Sequence, residues 1–527
     1  MSPISRLIAA AVVLVSAATP ASVSAEGAAA AAPAIDTATV LSADDRRVLT
    51  EYAADTWRSI AALVDPASGL PSDNIDGALD PASRARYTSP TNIGMYLWST
   101  VAARHLGLID SRDAVDRVRR TLTTVDGLRR HESSGMFYNW YDPATGDVLR
   151  AWPVDGSTVH PFLSSVDNGW LATALLIVAN DMPELAERAW PMLTSMDFGF
   201  YYDSQARGVD VPAGLLRGGF WDEQPPDCSI LDNYRERGPD VWYTCHTYGS
   251  FNTEPRIASY LGIALGQIPA AHYFAGWRTF PPACDWSWQE QLPVGHDATH
   301  LGVPVFEGTY EYRGMRLVPT WGGSMFEALM VPLVVPEEKW GPASWGRNHP
   351  LYVRAQIEHG VFDAGYGYWG FSPSDNPEGD PPYREFGVDA IGMQAEGYTS
   401  DLERTAVDGG FGDCRPGQEP PTGYGQGVVT PHASFLALRY AQRDALSNLA
   451  KLRADFDAYG PGGFYDAINV TTGAAARSYL ALDQGMSLAA AANALRGDVL
   501  RRAFTRGPVS TLRPLLAMED WSEVRAG

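Results

Sequence analysis

The chain has 527 residues, of which 45% are hydrophobic, 11% aromatic and 19% charged, too apolar and too weakly charged for a disordered protein. Its 40 Lys and Arg face 62 Asp and Glu, a net charge of −22. That balance excludes the basic surface that nucleic acid or an anionic membrane requires, and it fits a neutral or cationic partner.

In chain order, residues 1–25 read as a secretory signal. Arg6 gives a positive start, Leu7 to Ala18 an apolar run, and Val23-Ser24-Ala25 a small-residue cleavage site. The run is short of the roughly 20 residues a membrane span needs. Residues 26–40 are a low-complexity lead-in, and 41–527 are expected to form one domain, with no later membrane anchor. A secreted or periplasmic monomer is the expectation. Cys228, Cys245, Cys284 and Cys414 then allow three disulfide pairings, and the absence of a C-x-x-C pair argues against zinc.

Helical periodicity is read over 42–63, 88–106, 111–125, 164–179, 182–193, 253–265, 323–334, 342–359, 430–442, 444–458, 479–495 and 498–504. Strand-like pieces lie at 199–203, 218–221 and 305–318, the last with Arg313-Gly314 as its turn. Consecutive helix pairs over about 480 residues predict an all-α fold, an (α/α)6 toroid with β-hairpin and long-loop insertions forming a cleft. An irregular pair of helical domains is the alternative on pattern alone.

Aromatic residues gather in the loops: Tyr138 and Trp140, Trp221, Trp242, Trp286, Trp288 and Trp369 among them. Sugar rings present C–H faces that pack on such rings, so a glycan groove is one reading and ordinary core packing the other. Cutting a glycosidic bond needs two carboxyls in different environments. Four acids stand out by context. Glu254 (in Asn252-Thr-Glu-Pro-Arg256), Asp167 (in Ser164-Ser-Val-Asp167) and Glu327 precede apolar helical runs, and Asp483 is embedded in one. Each is equally a first-turn or capping residue. His296 and His300 have a helical zinc spacing but lack H-E-x-x-H, and Pro293 and Gly295 point to a loop.

Seven stretches resemble the bacterial glucoamylase-like family, related to glycoside hydrolase family 144 endo-β-1,2-glucanases and to domains of cyclic β-1,2-glucan synthase. They are Tyr87 to Gly94, Phe137 to Asp142, Ser164 to Gly169, Thr253 to Ile257, Trp321 to Glu327, Tyr368 to Ser372 and Ala481 to Met486. The resemblance implies an (α/α)6 toroid that hydrolyses a β-glucan with inversion, without cofactor or metal. It implies Glu254 as general acid, Asp483 as base or water-positioning group, and Asp167 in the cleft. Arg256, Tyr138, Trp140, Trp221, Trp242, Trp321, Glu327 and Trp369 are the candidate substrate contacts. Where the family often has Ile-Ser-Glu after Trp-Gly, this chain has Phe371-Ser372-Pro373. The partner expected is a polysaccharide or oligosaccharide. Another polysaccharide (an α-glucan or cell-wall arabinan), or a non-catalytic glycan-binding role, stays open.

Overall fold

Ser42 opens the first helix with a capping box, its hydroxyl accepting from the Asp45 amide while the Asp45 carboxylate accepts from the Ser42 amide. This is a computed structural model, and it describes residues 41–526 apart from 286–288, 380–381, 394–410, 415 and 418–423. The expected signal and lead-in, with Trp286 and Trp288, lie outside the described residues. The described chain is mostly helical. Its principal helices are α1 (Ala43–Leu63), α2 (Pro90–Leu106), α3 (Ser111–Gly127), α4 (Ser165–Asp181), α5 (Ala186–Ser195) and α6 (Arg256–Ala264). There follow α7 (Met325–Leu329), α8 (Glu337–Trp340), α9 (Trp345–Glu358), α10 (Pro431–Ala437), α11 (Gln442–Asp455), α12 (Ala481–Arg496) and α13 (Val499–Phe504). The run expected over 323–334 is instead a single short helix followed by a 3-10 turn at Val331–Leu333, because Pro332 supplies no amide to continue the ladder.

The helices differ in how much of their surface is wrapped. α3 carries a clean apolar stripe, whereas α2, α4 and α12 are buried nearly all round, the mark of helices enclosed by others. Packing runs in a circuit: α12 lies on α2, α2 on α4, α4 on α6, α7 on α10 and α10 on α12. The remaining link is made by Arg256 of α6, whose guanidinium donates to the carbonyls of Glu327 (2.9 Å) and Ala328 (2.7 Å) in α7. α1, α3, α5, α9 and α11 pack on this circuit from outside. Close approach sets the composition at one contact. A Cβ on Gly94 of α2 would come within 2.8 Å of the Trp170 carbonyl oxygen in α4, so only glycine lets the two backbones meet.

Short strands and hairpins join the helices. Phe162–Ser164, Gly219–Trp221, Val241–Thr244 and Ser229–Asp232 form a four-stranded sheet, clipped by a disulfide between Cys228 and Cys245. A second disulfide joins Cys284 to Cys414. The piece expected as a strand at 305–318 is Val303–Tyr312 paired with Met315–Leu317, with Val294–His300 on its other edge. Residues 199–203 are mostly a 3-10 turn, Phe198–Tyr201, with strand only at Tyr202–Asp203. One five-residue turn recurs at 65–69, 131–135, 142–146, 152–156 and 469–473. Each time the amide of a closing left-handed glycine donates to the carbonyl of the first residue.

Candidate active site

Five helices of the circuit, α2, α4, α6, α7 and α12, present their amino-terminal ends to one cleft of about 1080 Å³. Thr91 lies in the first turn of α2, Asp167 in that of α4, Glu327 in that of α7 and Asp483 in that of α12, with Glu254 just ahead of α6. These residues are far apart in sequence, and the circuit of packing brings them to a common wall. Helix amino termini carry unpaired amides and positive potential, which favours acids there.

Ser164, not Asp167, caps α4: its hydroxyl accepts from the Asp167 amide at 3.2 Å. The Asp167 carboxylate is left to accept from Thr91 Oγ1 at 2.6 Å across the gap between α2 and α4. Glu254 is held at both ends. Its amide donates to Glu327 Oε2 at 2.6 Å, and its Oε1 accepts from the Trp170 indole. Burial, with Glu327 and Asp167 as like-charged neighbours, pushes the Glu254 carboxyl well above its ordinary range, against the opposing Trp170 hydrogen bond. Glu327 is also raised, chiefly by burial. Asp483 is nearly sealed at 4% exposure, and burial raises it too, with Asp375 and Asp73 adding repulsion.

The acids of the cleft extend beyond the four that sequence context picked out. Asp73 accepts from Asn92 Nδ2 (2.8 Å) and Asn74 Nδ2 (3.1 Å), and burial raises it above the usual carboxylate range. Asp375 accepts from the Ser478 hydroxyl, and Glu385 lines the same wall. Pro373 also lines the cleft, and Asp375, two residues on, brings a carboxyl close to where the expected acid is missing. Arg84 and Arg86 are the cations of the lining.

The aromatic expectations divide. Trp140 lines the cleft, in a cluster with Tyr87 and Trp152 that sequence reasoning missed: Tyr87 to Trp152 is 4.4 Å between ring centroids, Tyr87 to Trp140 is 5.6 Å and Trp140 to Trp152 is 5.7 Å. Two consecutive turns, 142–146 and 152–156, carry this cluster, and the repeated Asp and Gly of those turns were the available signal. Tyr138, Trp221, Trp242, Trp321 and Trp369 are not in the lining. Trp221 packs on Phe162 at 4.6 Å and pairs with Trp242 across the four-stranded sheet. Tyr138 is buried with its hydroxyl on Asp222 Oδ2 at 2.8 Å. Trp321 is in a short strand against Met393, and Trp369 is 3% exposed in the core. Large rings are the strongest core fillers: packing claims Tyr138, Trp221 and Trp369, whereas Trp242 and Trp321 are part-buried outside the lining.

Arg256 is likewise outside the lining of the cleft. Its guanidinium is buried and forked onto Glu337, at 2.8 and 3.0 Å, behind the cleft wall. Tyr260 Oη (2.7 Å) and His349 Nε2 (3.0 Å) complete the shell of that carboxylate. His296 and His300 are on a strand, not a loop, and both flank Glu307, at 3.6 and 2.7 Å. Period-two geometry puts i and i+4 on one strand face, as on a helix. His300, Glu307 and Glu519 bring donor atoms within 4.8 Å of one another, but Glu519 is already bound by Arg278 and by Tyr273.

With this geometry in place, the likeness to known proteins can be located. Residues 305–508 match the family model described as "Putative glucoamylase", and residues 51–199 match a family of unknown function, DUF3131. The chain is similar to the glucoamylase-like proteins. A cyclic β-(1,2)-glucan synthase, NdvB of Rhizobium meliloti strain 1021, is 25% identical over 91% of this chain, which spans 19% of that protein's length. An endo-β-1,2-glucanase from Chitinophaga pinensis, solved with sophorotriose and glucose, superposes with TM-score 0.60 at 17% identity, covering 89% of this chain and 97% of its own. An endo-β-1,2-glucanase from Talaromyces funiculosus with sophorose gives TM-score 0.62 at 12% identity, covering 91% and 90%. At such identities the structural matches establish a shared fold.

Proposed function

We propose that the protein is a secreted glycoside hydrolase that cuts a neutral β-glucan, β-1,2-linked in the first instance, on an (α/α)6 toroid. The observation that carries the reading is that Glu254 and Asp483, 229 residues apart in sequence, line one cleft while the carboxyls around Glu254 favour its protonated form. The similarity to a β-1,2-glucan synthase and to endo-β-1,2-glucanases supports the linkage. Two disulfides suit an oxidising compartment, and among the described residues no helix is long and apolar enough to cross a membrane.

In the mechanism, Glu254 gives its proton to the glycosidic oxygen as the bond to the anomeric carbon breaks. A water attacks that carbon from the opposite face, and its proton passes to Asp483 or Asp167, directly or through a substrate hydroxyl, with inversion. Glu327 holds the Glu254 backbone in place. The Tyr87, Trp140 and Trp152 cluster offers apolar ring faces along one wall. Incubation with linear β-1,2-glucan tests the reading: short oligosaccharides are expected from the wild type. Glu254→Gln is expected to lower turnover at least about 100-fold while binding persists. Turnover within a few-fold of wild type removes Glu254 as the acid.

A further inference from the structure

Behind Asp483, on the side away from the cleft, is a void of about 10 Å³, room for one water at most, lined by His432, Asp466, Asp483 and Gln484 among others. His432, Asp466 and Asp483 are 2%, 2% and 4% exposed. Three polar atoms in this group lack a well-formed hydrogen bond: His432 Nδ1, Asp466 Oδ1 and Asp483 Oδ2. His432 Nδ1 stands 3.3 Å from Asp483 Oδ2, and a ring nitrogen of His432 and a carboxylate oxygen of each aspartate lie within 4.8 Å of one another. Unpaired atoms of this kind are costly in a sealed interior.

The three residues come from separate elements: His432 from the first turn of α10, Asp466 from the loop before the strand Ala467–Asn469, and Asp483 from the first turn of α12. The other Asp466 oxygen accepts from the Asp375 amide at 2.7 Å, so Asp466 also braces a second acid of the cleft. We propose that Asp466 is a positioning residue for Asp483: it keeps a proton and donates it to the Asp483 carboxylate, fixing that carboxylate's orientation toward the attacking water.

Two buried carboxyls at this distance cannot both ionise without a cation. The titratable groups facing the pair are His432, Asp375 and Asp73, and burial keeps His432 neutral, its pKa lowered to about 4. The pair therefore holds one proton between them. Burial and the Asp483 charge push Asp466 furthest up, while the Asp466 hydrogen bond favours the ionised form of Asp483. In the reaction Asp483 takes the proton of the water, and Asp466 neither gains nor loses one.

The proposal rests on Asp483 serving as the base, and its test separates the two claims. Asp466→Asn keeps a donor at this position, and Asp466→Ala removes it. For Asp466→Ala, kcat is expected to fall about 10- to 100-fold at unchanged KM, with the rising limb of the pH–kcat profile moved to higher pH. Asp466→Asn is expected to restore kcat to within about threefold and to return the limb. Carbon-13 carboxyl NMR of Asp483 reads the same upward shift in Asp466→Ala without any substrate, so a wild type that cleaves no glucan leaves this arm intact. An Asp483 titration unmoved in Asp466→Ala overturns the proposal. So does equal loss in both variants with the limb in place, or loss of activity on chelation with recovery on adding a divalent cation, which would assign the trio to a metal.

Discussion

Glu254 and Glu327 approach one another through a backbone amide rather than through a cation, so the cleft has to hold protons to hold both acids. For Glu254 as acid, activity is lost as pH rises through its raised pKa. For Asp483 as base, activity is gained as pH rises through its own raised value. Both limbs of a bell-shaped kcat/KM profile are therefore expected above the ordinary carboxyl range of about 4, and pH–rate measurements on β-1,2-glucan check this. Arg256 and Glu337 show the opposite case. The guanidinium and His349 hold the Glu337 carboxyl down to about 2. A folded-state pKa below the unfolded value gives stability that is present above about pH 4.3 and lost as pH falls toward 2. Glu337→Gln is expected to cost about 3–5 kcal/mol at neutral pH, because it strands a buried guanidinium, and to flatten that part of the acid-unfolding curve. At this scale the sequence was readable for acids and poorly so for everything else. Glu254, Asp167 and Glu327 each stood before an apolar helical run and Asp483 was embedded in one, and all four line the cleft. Trp221, Trp369 and Arg256 belong to types that packing recruits as readily as ligands do, and nothing local tells the two apart.

Helices were the most legible elements, since Ser42, Pro90 and Gly107 mark ends that the structure then occupies. Connections were the least legible. The turns at 142–146 and 152–156 place Trp140 and Trp152 beside Tyr87, although their shared x-Pro-x-x-Gly spacing alone says only that a turn exists, not which wall it builds. Trp152→Ala is expected to raise KM for β-1,2-glucan about threefold to tenfold with little change in kcat, the scale of one aromatic contact; steady-state kinetics reads it. The disulfide between Cys228 and Cys245 closes a 17-residue separation next to the Ser229–Thr244 pair at the open end of a hairpin. Replacing both by Ser is expected to lower unfolding stability by about 3 kcal/mol, measured by denaturant titration.

For the whole molecule, the circuit of helices closes on itself where α12 meets α1 and α2. The wall of the cleft draws on Asp73 near one end of the chain and Asp483 near the other. A polypeptide made amino end first thus cannot assemble this wall piecemeal: the early helices wait with an uncovered flank until Ala481–Arg496 arrives. The cleft is in effect a late checkpoint on folding, and a chain stopped before α12 carries every other acid of that wall yet lacks Asp483.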